Sequence, residues 1–399
     1  MRKYTLNFNA YRWYSGMLLS CLLLLNFSPI KPVGYPLTLA PLIIPFLALY
    51  VVRFNLSFKL VGVFFILSSF ILFKCIFDIV VYDVNLVGLF RTWALIQFFL
   101  LSLIIIKLPI VNSNMFGSTL QFTLMIFIAL TAVIVTFQFV SYYVLGDISV
   151  FRVWGGMGYN EQSYVIKSIE HGRVRANGLY FEPSFLALVI FSTTSAIMIF
   201  QQSIFSTINK RYVCILFMST FIIYLSGSRA GLISLSLLLL LPIIERMKLT
   251  YFILVVTLVS IILIALGNSE ASIDSSIYYR LIAPLEIIGA SLDQYTFGVP
   301  LGSMESFILS VGVLNGTEFG QTLDNGWYLI AFYFGWIGVF FVLLFLLFCI
   351  FLFVIGDRAQ RILIIYLVLA PIFTGAVFSP EFFILMYVVC MSYKLKSGL

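Results

Sequence analysis

GWYLIAFYFGWIGVFFVLLFLLFCIFLFVI (residues 326–355) contains no charged residue. About 20 apolar residues already span a hydrocarbon core as a helix, and this run is longer. Backbone polar groups in lipid must satisfy one another, so the run is read as a helix. Similar runs lie on either side of it. Together they predict about twelve spans, at 13–28, 33–52, 58–77, 87–106, 119–145, 184–202, 212–226, 230–245, 250–267, 326–355, 362–379 and 380–393. The last two are short and separated only by Ser379-Pro380-Glu381, so a count of eleven stands beside twelve. Met1–Arg12 is basic and leads into Trp13–Ser28 without a small-residue cleavage site, which reads as a retained first span. The composition agrees: of 399 residues, 62% are hydrophobic and 10% charged, against roughly 25% charged in soluble chains. The fold class is therefore all-α, a polytopic integral membrane bundle forming a single domain over 1–399.

Charge sets the expected orientation. The short basic loops NKR (209–211), ERMK (245–248) and GDRAQR (356–361) all fall on one side, with both termini. That side is cytoplasmic by the positive-inside rule. Two long loops, 146–183 and 268–325, then face the opposite, non-cytoplasmic side. Of the acidic residues only Glu245 and Asp357 fall inside. The net charge of +7 accordingly reports topology, and no nucleic-acid partner is expected. The cysteines Cys21, Cys75, Cys214, Cys349 and Cys390 sit inside apolar runs and read as packing residues.

Polar chemistry concentrates in three places. The first loop ends Arg173-Val-Arg175-Ala-Asn-Gly178-Leu-Tyr180-Phe-Glu182-Pro183-Ser184 and runs straight into a span. Pro183 suits the first helical turn, and Glu182 lies at its positive end. Glu182 is thus either a helix cap or a fixed carboxylate beside a guanidinium at the mouth of the bundle. Between two spans lies Leu225-Ser226-Gly227-Ser228-Arg229-Ala230-Gly231. An arginine between apolar helices is costly, so Arg229 either snorkels to headgroups or points into a polar cavity. The second loop passes Tyr278-Tyr279-Arg280 and Gly298-Val-Pro-Leu-Gly302, then ends Thr322-Leu-Asp324-Asn325-Gly326-Trp327. Asp324 is the predicted N-cap of the following helix, a role compatible with a functional one. Within spans, Lys74 and Asp78 have the spacing of an intrahelical pair. Arg91 needs a partner or an aqueous cavity.

Several chemistries find no support. There is no phosphate-binding GxxxxGK[ST] loop, no GxGxxG, no HExxH or CxxC, and no GxSxG to accompany His171, the single histidine. Neither a cofactor nor a catalytic metal is expected. No inverted repeat of the transporter kind is seen.

In order and sidedness, these features resemble the O-antigen polymerase and O-antigen ligase families of bacterial surface-polysaccharide assembly. The elements that carry the resemblance are R-x-x-G-x-x-x-E-P-S from Arg175 to Ser184, S-x-S-R-x-G from Ser226 to Gly231, and the long loop before the Gly335–Gly338 helix. The resemblance implies a C-type membrane glycosyltransferase of the bacterial inner membrane, its two long loops 146–183 and 268–325 periplasmic, that draws its donor glycan from undecaprenyl diphosphate, alongside membrane lipids, a chain-length regulator and a flippase. It implies catalytic roles for Arg175, Glu182, Arg229, Arg280 and Asp324, and substrate binding by Arg173, Gly178, Ser228, Tyr279 and Asn325. The implied chemistry is physically coherent. A departing lipid diphosphate gains negative charge, and arginines can neutralise it through bidentate contacts. Glu182 or Asp324 is left as the acceptor's base. Tyr180, Tyr279 and Trp327 stand either as sugar-stacking rings or as an interfacial belt.

A ligase of this resemblance carries a histidine near the end of the second loop. Here that place reads Leu323-Asp324-Asn325-Gly326, which favours polymerase. The ligase, moving the chain onto lipid A–core, and a flippase for lipid-linked sugars remain the alternatives.

Overall fold

The computed structural model describes residues 58–82, 113–151, 174–180, 182–200, 210–239, 281–313, 323 and 325–397, with isolated positions at 16–24, 84–96 and 169. Among them every regular element is helical: α1 Phe58–Val81, α2 Ser113–Val140, α3 Pro183–Phe200, α4 Lys210–Ser226, α5 Arg229–Leu239, α6 Ala283–Gln294, α7 Met304–Val311, α8 Gly326–Ile355, α9 Arg358–Thr374 and α10 Pro380–Ser397. Two stretches, Gln121–Leu145 and Gly326–Ile355, are long and apolar enough to cross a membrane, and four further apolar helices are shorter. The expected runs 13–28, 33–52, 87–106 and 250–267 lie wholly or largely outside the described residues. Phe340, Phe341, Leu344, Leu347, Phe348 and Phe351 stand exposed on α8. Such an apolar flank suits lipid and not water.

The chain forms two compact units. One comprises Met1–Gly62, Leu101–Ser236 and Phe383–Leu399, the other Val63–Leu100 and Leu237–Phe382.

In the first unit α2, α3 and α4 pack against one another. Several of their hydroxyls are satisfied locally, although the buried Ser195 Oγ of α3 has no hydrogen-bond partner among the described residues. Ser192, Thr193 and Thr194 donate to carbonyls one turn back, and Thr194 Oγ1 shares a 2.7 Å hydrogen bond with Ser219 Oγ across α3 and α4. Gly231 lets α5 start close by. A Cβ there would lie 3.0 Å from Ile223 Cγ2 and 3.2 Å from Ala187 Cβ.

The second unit refines one sequence-based expectation and corrects two. First, the stretch 268–325, expected as a long loop between spans, carries the short helices α6 and α7. Ala283, Pro284, Ile287, Ile288 and Ser291 are buried along one face of α6, a helical period too short and too polar to register as a span. Second, the N-cap of α8 is Asn325, not Asp324. Asn325 Oδ1 accepts the Trp327 amide at 3.1 Å, the N2 contact a capping side chain makes. Asp324 itself lies outside the described residues.

Third, the run 326–355 is not one continuous helix. Gly335, at φ 57° and ψ −139°, breaks it, in a region open essentially to glycine alone. The segment Tyr295–Leu301 enters the break. Trp336 N donates to Thr296 O at 3.2 Å and Val299 N to Phe332 O at 2.9 Å, so the interrupted backbone is re-satisfied by the intruder. The approach is backbone to backbone. A Cβ on Gly335 would collide with Thr296 O, and one on Gly298 with the Tyr333 carbonyl. Beyond the break, Trp336–Ile355 is still about 20 residues, or about 30 Å of helix.

A buried ion pair clasps the intruding segment. Lys74 Nζ lies 3.3 Å from Asp78 Oδ2 within α1, as the four-residue spacing predicts. Lys74 also donates to Gly298 O at 3.3 Å, and Asp78 Oδ2 accepts the Leu301 amide at 2.9 Å. Removing one member strands the other charge, at about 3–5 kcal/mol in buried pairs. Asp78→Asn should therefore unfold at markedly lower denaturant in detergent. Lys74→Met/Asp78→Asn should recover most of the loss, since asparagine can still accept from Leu301. A double variant no better than the single would show that the clasp does not act as a pair.

Candidate active site

The first unit brings two of the three polar motifs together. After Val140, α2 ends in a π-helical turn, Ser141–Leu145, closed by Gly146 in the left-handed region. Asp147 Oδ1 then accepts the Ser149 amide at 2.8 Å. Hydrogen bonds from the Ser149 hydroxyl and amide hold this carboxyl below its usual range. Phe151 is buried beneath Tyr142, Val150 and Val174, and its ring meets Tyr142 edge-on.

The chain returns through 174–180. Ala176 N donates to Leu225 O at 3.0 Å, which ties the returning strand of chain to the last turn of α4. Two steps on, Asn177 and Gly178 meet Gln138 of α2. Gln138 Oε1 accepts the Gly178 amide at 3.0 Å, and its Nε2 lies 3.0 Å from Asn177 Oδ1 and 2.9 Å from Gly178 O. Asn177 Nδ2 donates to Phe151 O and Tyr180 O. Tyr180 is buried, and its hydroxyl donates to Leu22 O at 3.0 Å.

Arg175 emerges from this pinned segment, half-buried, over the turn between α4 and α5. A Cβ on Gly227 would lie 3.3 Å from Arg175 Cγ and 3.7 Å from its Nε. Gly227 also holds φ 53°, so two constraints keep this position bare. The turn is capped from within. Ser226 Oγ donates to Ile223 O at 2.6 Å, and Ser228 Oγ accepts the Gly231 amide at 2.9 Å. Ser228 is thereby the N-cap of α5, and Arg229 is its first residue. The arginine stem of one motif lies across the glycine of the other.

Glu182 stands immediately before α3, which begins at Pro183. Its carbonyl accepts the Phe185 and Leu186 amides at 3.1 and 3.2 Å, and its Oε2 accepts the Ser184 hydroxyl at 2.9 Å. Pro183 opens α3 as predicted. Gly178 and Asn325, read as substrate contacts, are both buried. Gly178 is held in its turn by Gln138, and Asn325 caps α8. Arg91, Lys167, His171, Arg173, Tyr279, Arg280 and Asp324, with the side chain of Arg229, lie outside the described residues. Among the described residues no cluster of His, Cys, Asp and Glu is placed to hold a metal ion.

Gln138 and Asn177 escaped the sequence reading. The available signal was one primary amide inside the apolar run TAVIVTFQFV (131–140). A polar side chain in such a run needs a partner.

The profile of the WcaD colanic acid polymerase family matches residues 14–395. The chain belongs to the colanic acid polymerase family. A candidate colanic acid polymerase of Escherichia coli (strain K12) is 32% identical over 249 residues, a match spanning 57% of this chain and 58% of that protein. No solved structure matches the chain. The family falls on the polymerase side of the resemblance that the two motifs carry.

The contact between the motifs is open to a direct check. Gly227→Ala should destabilise the protein in detergent, with about 1–2 kcal/mol from the left-handed backbone alone. Arg175→Ala in the same chain should restore the steric part and leave the backbone part. Equal stability of Gly227→Ala and wild type would separate the two motifs.

Proposed function

We propose that the chain is a surface-polysaccharide polymerase that joins lipid-diphosphate-linked repeat units at the outer face of the inner membrane. The observation that carries this reading is Arg175 lying over the Gly227 turn, with Arg229 opening the next helix, in a chain of the colanic acid polymerase family. The donor would be a growing glycan on undecaprenyl diphosphate, the acceptor the terminal sugar of a new lipid-linked unit, and the product a polymer of the colanic acid class.

The step is a displacement at the donor's anomeric carbon. An acceptor hydroxyl forms the new glycosidic bond. The bond from that carbon to the diphosphate oxygen breaks, and undecaprenyl diphosphate departs with the electron pair. Arg175 is the residue that would meet the developing charge, since a guanidinium matches two phosphate oxygens at once. The first turn of α5 adds its positive end beside Arg229. Glu182, fixed at the start of α3, would orient the acceptor hydroxyl and take its proton. A donor diffusing in the bilayer needs these groups within reach of its headgroup. Arg229 opens α5, and the Arg175 stem lies over the turn just before it, so both would stand at a helix end that such a headgroup could reach.

Arg175→Ala and Arg175→Lys should each abolish high-mass polymer while the protein still accumulates in the membrane, because lysine lacks the bidentate fork. Gel analysis of the surface glycan in a deletion strain carrying each variant reads the outcome. The deletion strain itself should accumulate single lipid-linked repeats on the outer leaflet. Long lipid-linked chains would indicate a ligase, and single repeats held on the inner leaflet a flippase.

A further inference from the structure

We propose that Gln138 is a positioning residue for Arg175, acting through the Asn177–Gly178 turn; the inference rests on the arginine reading above. Gln138 is 3% exposed and Asn177 1%. Every polar atom of both amides has a partner within the first unit. On Gln138, Oε1 takes the Gly178 amide, and the Nε2 hydrogens serve Asn177 Oδ1, Gly178 O and Val150 O, the last at 3.0 Å. On Asn177, Nδ2 serves Phe151 O and Tyr180 O. A primary amide has two hydrogens, so the three acceptors around Nε2 leave it nothing for a substrate. Gln138 therefore does not touch the reacting groups.

Its effect is on the backbone that carries Arg175. Ala176 is tied to the end of α4 through Leu225 O, and Asn177–Gly178 are tied to α2 through Gln138. The Arg175 stem is thus placed over Gly227 by ties on the residues that follow it. The helices do not need this network to meet. α2, α3 and α4 pack against one another, and α3 and α4 share the Thr194–Ser219 bond. Loss of the Gln138 amide frees the 174–180 segment in particular. In a low-dielectric setting its abandoned partners are costly, and the segment would shift to find others. A displacement on the order of 1 Å at a charge-stabilising group lowers turnover by about a hundredfold.

The test uses the full chain in membrane vesicles, with the lipid-linked repeat unit that accumulates in the deletion strain as substrate. Gln138→Leu should insert at wild-type level and lower kcat about a hundredfold, with KM for the lipid-linked unit changed far less. Combined with Arg175→Lys it should be no slower than Arg175→Lys alone, since both remove the same interaction. Gln138→Glu, which keeps the acceptor for Gly178 and loses both donor hydrogens, should show the same pattern and serves if the leucine variant does not insert. Effects that multiply in the double variant would overturn the proposal, as would unchanged turnover in the Gln138 variants. If Arg175→Ala and Arg175→Lys both turn over normally, the arginine reading fails and takes this inference with it. Loss in the Arg175 variants without loss in the Gln138 variants overturns the positioning role alone.

Discussion

A peptide or amide group inside a hydrocarbon layer has no water to turn to, so each must find its partner within the protein. Both units are organised by that constraint. In the second, a helix broken at Gly335 would leave carbonyls and amides bare. The segment 295–301 meets two of them and is itself held by Lys74 and Asp78. In the first, a chain returning to α2, α3 and α4 brings unpaired peptide groups, and Gln138 and Asn177 supply the missing partners. Irregular backbone is tolerated in both places because a short polar side chain or a second backbone completes it. Both irregular segments coincide with motifs that the sequence marks out, 175–184 and 298–302.

This arrangement bears on how a glycosyltransferase can work beside a membrane. On the proposed function its donor is anchored in lipid, so the groups that neutralise the diphosphate must be rigid at the edge of an apolar bundle. A long arginine on a loose loop would lose its advantage to side-chain freedom. Anchoring of the Arg175 segment at Leu225 and Gln138 answers that need, and bare Gly227 gives the stem a surface to lie on. Glu182 is fixed by an independent device, the start of α3.

Much of the fold was legible from local pattern. The starts of α3 at Pro183 and of α5 beside Ser228, and the Lys74–Asp78 pair, follow from neighbouring residues alone. What escaped depends on residues far apart in sequence. Nothing within 326–355 distinguishes a break at Gly335 from close helix packing, because the break exists for a segment some forty residues earlier. Asn325 and Asp324 are both able caps, and only the backbone decides between them. α6 and α7 were hidden by the scale of a span-length search, being short and amphipathic. At the candidate site, the motifs containing Arg175 and Gly227 were visible and their contact was not. Gln138 was a single polar letter in an apolar run, and its role appears only when 138, 150 and 177 are brought together.

The central claim is that the Arg175 segment and the Ser226–Gly231 turn together receive the lipid diphosphate. The most direct measurement is photo-crosslinking of the full chain in membranes with a diazirine-bearing polyprenyl diphosphate, followed by peptide mapping. Labelling should fall on peptides containing 174–183 and 226–231, and Arg175→Ala should reduce it. Labelling that spares both peptides, or is indifferent to Arg175, would contradict the account.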